Sequence, residues 1–262
     1  MAAFRARHIP VTGFVIEKVV DSLGATGGKI LRQWTLQGFD LGNHTYSHPD
    51  INDLAIEQIK EEIVRGEYTI GPLMRRAGKK VAFFRFPMNH TGDTQAKHEA
   101  IAKFLTERGY QLAICTIDNS DFIFNQAYVR MLANHDLANA RRLMPEYIAY
   151  SDSEVDYYAG LNKRVFGYEP PQVMLLHDNR LNADAIGQLL KLFDEKRYKF
   201  VSLAAALSEP VYRTPDTYVT RFGPMWGYRW ASERDIKVDG RLEPDPPKWI
   251  SDYGKPRPAH AN

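Results

Sequence analysis

The sequence predicts an α/β fold built on a parallel sheet, and three observations predict it. Short apolar runs rich in β-branched and aromatic residues alternate with longer amphipathic segments. One run, Gln172 to His177, is almost wholly apolar, as a strand covered on both faces is. Polar, chemistry-bearing side chains stand directly after several of the apolar runs, where the loops of a parallel barrel gather a site.

Taken in order, Val11 to Ile16 reads as a strand, Gly28 to Gln37 as a helix and Phe39 to Asn43 as the next strand. Asp53 is placed to cap a long helix from Leu54 to Arg76, in which Ile56, Ile59, Ile63, Ile70 and Leu73 recur at roughly helical spacing. Val81 to Phe86 is strand-like. Asp93 is placed to cap a helix that runs to Arg108 and ends at Gly109, and Tyr110 to Ile117 follows as a strand. Cys115, inside that strand, reads as a small core residue rather than a nucleophile. Asn125 to Phe166 is helical in character, Gln172 to His177 returns as a strand, Asn182 to Tyr198 is a helix, and Phe200 to Leu203 is a last short strand. Beyond Pro210 the composition shifts toward Pro, Asp, Arg and aromatic residues, and Ser232 to Asn262 is expected to be a loosely ordered tail. The expected division is a catalytic domain over 1–209 and a partly irregular extension over 210–262.

Composition narrows the function. With 262 residues and 44% hydrophobic positions, the chain can build one sizeable core. The net charge is only +2 and the basic residues are scattered among acidic ones, which argues against a nucleic-acid partner or a polybasic membrane anchor and fits a neutral substrate such as a sugar. Cys115 is the only cysteine, so an internal disulfide and a cysteine-based zinc cage are excluded within one chain, leaving His and carboxylates as ligands. In Met1 to Val19 the apolar run Ile9 to Ile16 is interrupted by Glu17 and Lys18, so no signal peptide and no membrane-spanning helix is read there; the compartment stays open.

Four strand ends carry the candidate chemistry. In Asn43-His44-Thr45-Tyr46-Ser47-His48, two imidazoles four residues apart can offer a nitrogen each to one divalent ion, although the spacing alone suits two surface or capping histidines equally well. In Phe84-Arg85-Phe86-Pro87-Met88-Asn89, the planar guanidinium of Arg85 can orient a carboxylate or a substrate oxygen, or form a surface ion pair. Asp118-Asn119-Ser120-Asp121 places two carboxylates in what is also a common Asx-turn sequence. Leu175-Leu176-His177-Asp178 sets an imidazole just past a buried strand, where a hydrogen-bonded structural histidine is the usual occupant.

In this order the four motifs resemble the NodB-like polysaccharide deacetylases (carbohydrate esterase family 4 type), whose pattern contains His-Thr/Ser-x-x-His, Arg-x-Pro-x-Gly/Asn, Asp-x-x-Asp-Trp and Leu-x-His. The resemblance covers about Ile9 to Leu207; Phe122 stands where the family has Trp, and Met88 departs from the commoner Tyr or Phe. It implies a distorted (β/α) barrel and a metal-dependent hydrolase that removes acetyl groups from a polysaccharide or amino sugar. His44 and His48 would hold the divalent metal, zinc by expectation, and Arg85 would orient the catalytic base. His177 would be the general acid, with Asp121 favouring its charged form, and Tyr46, Pro87, Asn89 and Leu175 would meet the substrate. The family's Thr-Phe-Asp-Asp segment, which supplies the base and a third metal ligand, has no counterpart before Val11. The expectation is therefore a chain that lacks the first strand, binds metal weakly and turns over little. The rival expectations are a non-catalytic carbohydrate-binding domain with Tyr46, Phe86, Phe122 and Trp226 stacking on sugar rings, and a structural or metal-storing barrel.

Overall fold

A computed structural model describes residues 1–255, and its contacts divide the chain into two units. One comprises Met1–Ile114 and Phe200–Glu233; the other comprises Cys115–Lys199 and the described residues from Arg234 on.

The first unit holds a four-stranded sheet in the order β1 (Thr12–Val15), β2 (Asp40–Asn43), β3 (Phe83–Phe84) and β4 (Gln111–Leu112), with every pairing parallel. Parallel neighbours need crossovers, and the helices Ala25–Leu36, Ile56–Arg65, Ile70–Arg76 and Gln95–Glu107 supply them. Register is fixed by close packing: Thr12 faces Asp40 and Val15 faces Asn43, while the ring of Phe14 lies where a side chain on Gly42 would be. Ile59 and Ile63 on one helix and Ile101 and Leu105 on another close over Ile51, Phe84, Phe86 and Tyr110, all buried. Val15, Val20, Leu31, Leu41, Ile70 and Met74 form a second apolar cluster in the same unit.

Several elements differ from expectation. The long helix over Leu54 to Arg76 is two helices, Ile56–Arg65 and Ile70–Arg76, preceded by a one-turn segment Ile51–Asp53. Asp50, rather than Asp53, caps that turn by accepting from Asn52 N, and Gln58 Oε1 accepts from Ala55 N at the next helix start. The break falls at Gly66, where a Cβ would stand 2.3 Å from Asn43 Oδ1. Thr94, not Asp93, caps Gln95–Glu107, and Asp93 instead pairs with Lys97 at 3.1 Å. The strands expected over Val81–Phe86 and Tyr110–Ile117 shorten to two residues each, and Phe200–Leu203 is not a strand: Ser202 caps a helix over Leu203–Leu207.

The second unit is mainly helical. Asp121–Ala133, the thirty-residue Leu137–Phe166, Arg180–Glu195 and Lys248–Gly254 enclose Phe124, Tyr128, Met131, Leu143, Tyr147, Leu181, Leu189 and Ile250. The expected strand Gln172 to His177 reduces to one parallel bridge, Ile117 with Met174. Val173 N donates to the hydroxyl of Thr116 instead of a carbonyl, which interrupts the ladder. Part of the expected loose tail is packed: Lys248–Gly254 is a helix in the second unit, where Ile250 is fully buried and Trp249 Nε1 donates to Glu146 at 2.8 Å. The end of that tail, 256–262, lies outside the described residues.

Glu154, buried in the long helix, has its carboxyl pushed up to about 8, chiefly by burial and then by the charges of Glu243, Asp118 and Asp245, against which the Tyr150 hydroxyl works. Between its ordinary value of 4.5 and about 8 the unfolded chain has ionised this group while the folded chain keeps it protonated. Stability from this group is therefore complete at low pH and falls as pH rises through that window. Glu154→Gln, which mimics the neutral form, is expected to flatten the decline of thermal stability between pH 5 and 9; parallel pH profiles for the two proteins would overturn this.

Candidate functional site

In the first unit the His44-to-His48 loop leaves the end of β2 in a conformation that the sequence must hold by force. Thr45 and His48 have φ of 69° and 57°, in the left-handed region that non-glycine residues rarely occupy. Three clamps hold them. Asn43 Oδ1 accepts from Thr45 N, and its Nδ2 donates to Ile63 O and Tyr110 Oη. Glu62 accepts from Ser47 N at 2.7 Å and from Ser47 Oγ at 3.0 Å, while its carbonyl accepts from Tyr46 N. Thr45 Oγ1 accepts from His48 N.

The result places the two rings 4.7 Å apart between centroids, edge to face. His44 Nδ1 lies 2.8 Å from the carbonyl of Arg85. A backbone carbonyl only accepts, so Nδ1 carries the proton and the lone pair of His44 is on Nε2, the arrangement that metal-ligating histidines use. The chemistry of the two donors fits a divalent ion. Their number falls short of the three protein ligands of a catalytic zinc site, and among the described residues no group of three His, Cys, Asp or Glu is placed to hold a metal.

Arg85 is buried rather than a surface ion-pair partner: its Nε donates to Ala113 O and its guanidinium lies 4.1 Å from the ring centre of Phe14. Pro87 is buried and opens the one-turn Pro87–Asn89 segment, in which Met88 and Asn89 both take positive φ. Asn89 Nδ2 reaches Met225 Sδ at 3.5 Å. Tyr46 is half-buried, with the guanidinium of Arg65 stacked 3.6 Å from its ring centre.

In the second unit Asp118 Oδ1 accepts from Ser120 N, an Asx turn that delivers Asp121 to the first turn of its helix. Asp121 is fully buried, and four donors converge on its two oxygens: His177 Nδ1 at 2.6 Å, His177 N at 2.8 Å, Asn179 Nδ2 at 3.1 Å and Asn182 Nδ2. The His177 side chain is 47% exposed, and its ring is tethered to Asp121 through Nδ1. Burial raises the Asp118 carboxyl, and the charge of Asp121 adds to the rise. The half-exposed ring of Phe122 meets His177 edge to face at 6.1 Å, and Leu175 N donates to Ile117 O.

The structure thus assembles His44 with His48 beside the Arg85 carbonyl in one unit, and His177 with Asp121 in the other. Sequence reasoning missed the residues that hold them: Glu62, Asn182, Asn179 and Tyr147, whose hydroxyl donates to Asn182 Oδ1 at 2.6 Å. The one local signal was the Asn179 cap, whose Oδ1 accepts from Asn182 N. Phe86 and Trp226, two of the four proposed sugar-stacking rings, are 5% and 4% exposed and cannot reach a ligand face.

Residues 1–109 match the polysaccharide deacetylase family. No curated relative matches the chain by sequence. Among solved structures, a mutant of BA3943, a CE4 family pseudoenzyme with restored enzymatic activity, is similar with a TM-score of 0.54 at 15% identity, over 78% of this chain and 59% of that one. Wild-type BA3943 comes from Bacillus anthracis. The polysaccharide deacetylase Bc1974 from Bacillus cereus is similar with a TM-score of 0.54 at 20% identity, over 77% and 82%. The peptidoglycan deacetylase PdaC from Bacillus subtilis has a TM-score of 0.52 at 17% identity, over 79% and 80%. The chain thus spans less than two thirds of the length of the BA3943 structure. The family match thus covers the first 109 residues, and over about three quarters of its length the chain has the NodB fold of the CE4 deacetylases.

Proposed function

We propose that the chain is a metal-dependent deacetylase domain that hydrolyses acetyl groups on a polysaccharide or amino sugar. The observation that carries the proposal is the His177–Asp121 pair: a fully buried carboxylate, saturated with donors, fixing Nδ1 of a half-exposed imidazole. That is the construction of a proton donor or acceptor with a set tautomer. His44 through Nε2, with His48, would hold the divalent ion, zinc by its preference for nitrogen donors. Such an ion supplies polarisation of the acetyl carbonyl and a more acidic water.

The chain's own residues do the rest. Hydrolysis of an N-acetyl group breaks the amide C–N bond and joins the water oxygen to the carbonyl carbon; the water's proton would pass to the acidic base that the family resemblance implies, and the departing nitrogen needs a proton. His177 gives it from Nε2, while Asp121 stabilises the ring through Nδ1. Arg85, which forms no ion pair among the described residues, would orient an acidic group, as the family resemblance implies. Tyr46 and Asn89 border the substrate, Leu175 sits at the His177 end, and Pro87 acts from below by setting the turn that carries Asn89.

A second reading, a non-catalytic carbohydrate-binding domain, is favoured by the count of two nitrogen donors. Titration with zinc and assay of acetate release from acetylated oligosaccharides separate the two. Zinc binding is expected to be weak and to vanish in His44→Ala and His48→Ala. His177→Ala is expected to abolish acetate release while leaving oligosaccharide binding intact. Acetate release that survives His177→Ala would sink the mechanism, and no release at any zinc concentration, with binding retained, would leave the binding reading standing.

A further inference from the structure

Phe222 is 77% exposed, more than any other large apolar side chain among the described residues, yet the backbone that carries it is pinned from several directions. Upstream, the fully buried Arg229 grips Asp216 through Nε and Nη2 and also donates to Tyr218 O and Thr91 Oγ1; His98 bridges the carbonyls of Thr91 and Asp216. Downstream, Met225 and Trp226 are buried. On one side of Phe222, Asn52 Nδ2 donates to Arg221 O at 3.0 Å. On the other, Gly223 lies so close to the Pro87–Asn89 turn that a Cβ would fall 1.8 Å from Met88 O. An exposed ring on an immobilised backbone loses little freedom when a ligand covers it.

The same contacts tie this ring to the histidine loop. Asp50, two residues past His48, accepts from His90 at 2.8 Å, Asn52 lies 3.2 Å from the same His90 nitrogen, and Asn52 holds the Arg221 carbonyl. Met88, itself 45% exposed, adds a second apolar surface next to Gly223. The charges of the segments that hold this backbone are already paired: Arg221 reaches Asp53 at 3.4 Å and Asp93 at 3.7 Å, and His90 faces Asp50. An aromatic face with a rim of satisfied charges and hydrogen-bonding groups suits an uncharged ligand with one apolar face and several hydroxyls, which is the chemistry of a pyranose ring.

We propose that Phe222, with Met88, forms a sugar-binding subsite on which a pyranose ring of the acetylated polysaccharide stacks. The identity of the ligand rests on the deacetylase reading; the existence of the platform rests on the contacts above. Its place in the loop explains why the resemblance to known motifs does not reveal it, because no motif residue is involved beyond the turn that Gly223 touches.

Calorimetric titration of the full chain with acetylated chito-oligosaccharides and xylo-oligosaccharides of four to six units tests the proposal without requiring turnover. Phe222→Ala is expected to raise Kd about tenfold, as loss of one aromatic contact in a binding patch commonly does. Phe222→Trp should restore affinity. Gly223→Ala keeps the ring but forces the loop away from Met88, and should weaken binding as much as Phe222→Ala. If the wild-type chain binds the oligosaccharides and Phe222→Ala binds them equally well, the subsite is overturned and the deacetylase reading is untouched. If His177→Ala binds as wild type while Phe222→Ala does not, the subsite stands. If wild type binds none of them, both the subsite and the carbohydrate reading fall.

Discussion

Asp121→Asn is expected to lower acetate release by about 10² to 10⁴ at equal zinc loading, the range typical of losing a positioned acid–base group. The carboxylate accepts from both His177 Nδ1 and His177 N and from two asparagine side chains. An amide cannot accept at both ends. Its NH₂ must face one of these donors, and if it faces Nδ1 the ring must move its proton to the other nitrogen. The ring is then held as the neutral imidazole, without the carboxylate charge that stabilises its protonated form, and is a far weaker acid. Proton NMR of the His177 ring reports the tautomer directly, and a rate within threefold of wild type would remove Asp121 from the mechanism. Circular dichroism should show the helix Asp121–Ala133 still formed, since Ser120 and Asp118 shape its start independently.

Arg229→Met is expected to cost about 3–5 kcal/mol of stability, because it leaves the Asp216 charge without its buried partner. Arg229 is 1% exposed and its fork binds both Asp216 oxygens, with ring faces of Trp226 and Tyr218 at 4.9 and 5.4 Å from the guanidinium carbon. Thermal unfolding should move down by on the order of 10 °C. Arg229→Met combined with Asp216→Leu should recover part of that loss, since the deserted charge is then gone as well. A single variant that melts within about 2 °C of wild type would show that the pair is not a structural anchor.

Where the sequence could be read, the signal was local and repeated. The helix Gln95–Glu107 follows from Ile101 and Leu105 at i,i+4 with Gly109 behind it, and the first two strands follow from β-branched and aromatic runs bounded by polar residues. The four candidate motifs stand out in the sequence because each packs its polar side chains into a few consecutive residues. Failures occurred where distant residues decide. Nothing near Gly66 shows that Asn43 will occupy the space its side chain would need, so one periodic stretch became two helices. Thr116 looks like an ordinary strand residue until its hydroxyl replaces a ladder partner of Val173. The helix Lys248–Gly254 spans only seven residues, too few for a period to emerge, and it is held by Ile250 and Trp249 docking onto helices more than a hundred positions earlier. Glu62 and Asn182 escaped notice for the same reason, since each acts on a loop far from it in the chain or on a partner that had not yet been placed.

The hydrogen atom that Gly66 carries in place of a side chain links two parts of the molecule with no shared chemistry. Asn43 fills that notch, and Asn43 in turn sets the strained turn on which His44 and His48 stand. Any drift at the helix junction is therefore felt at the two imidazoles through Asn43.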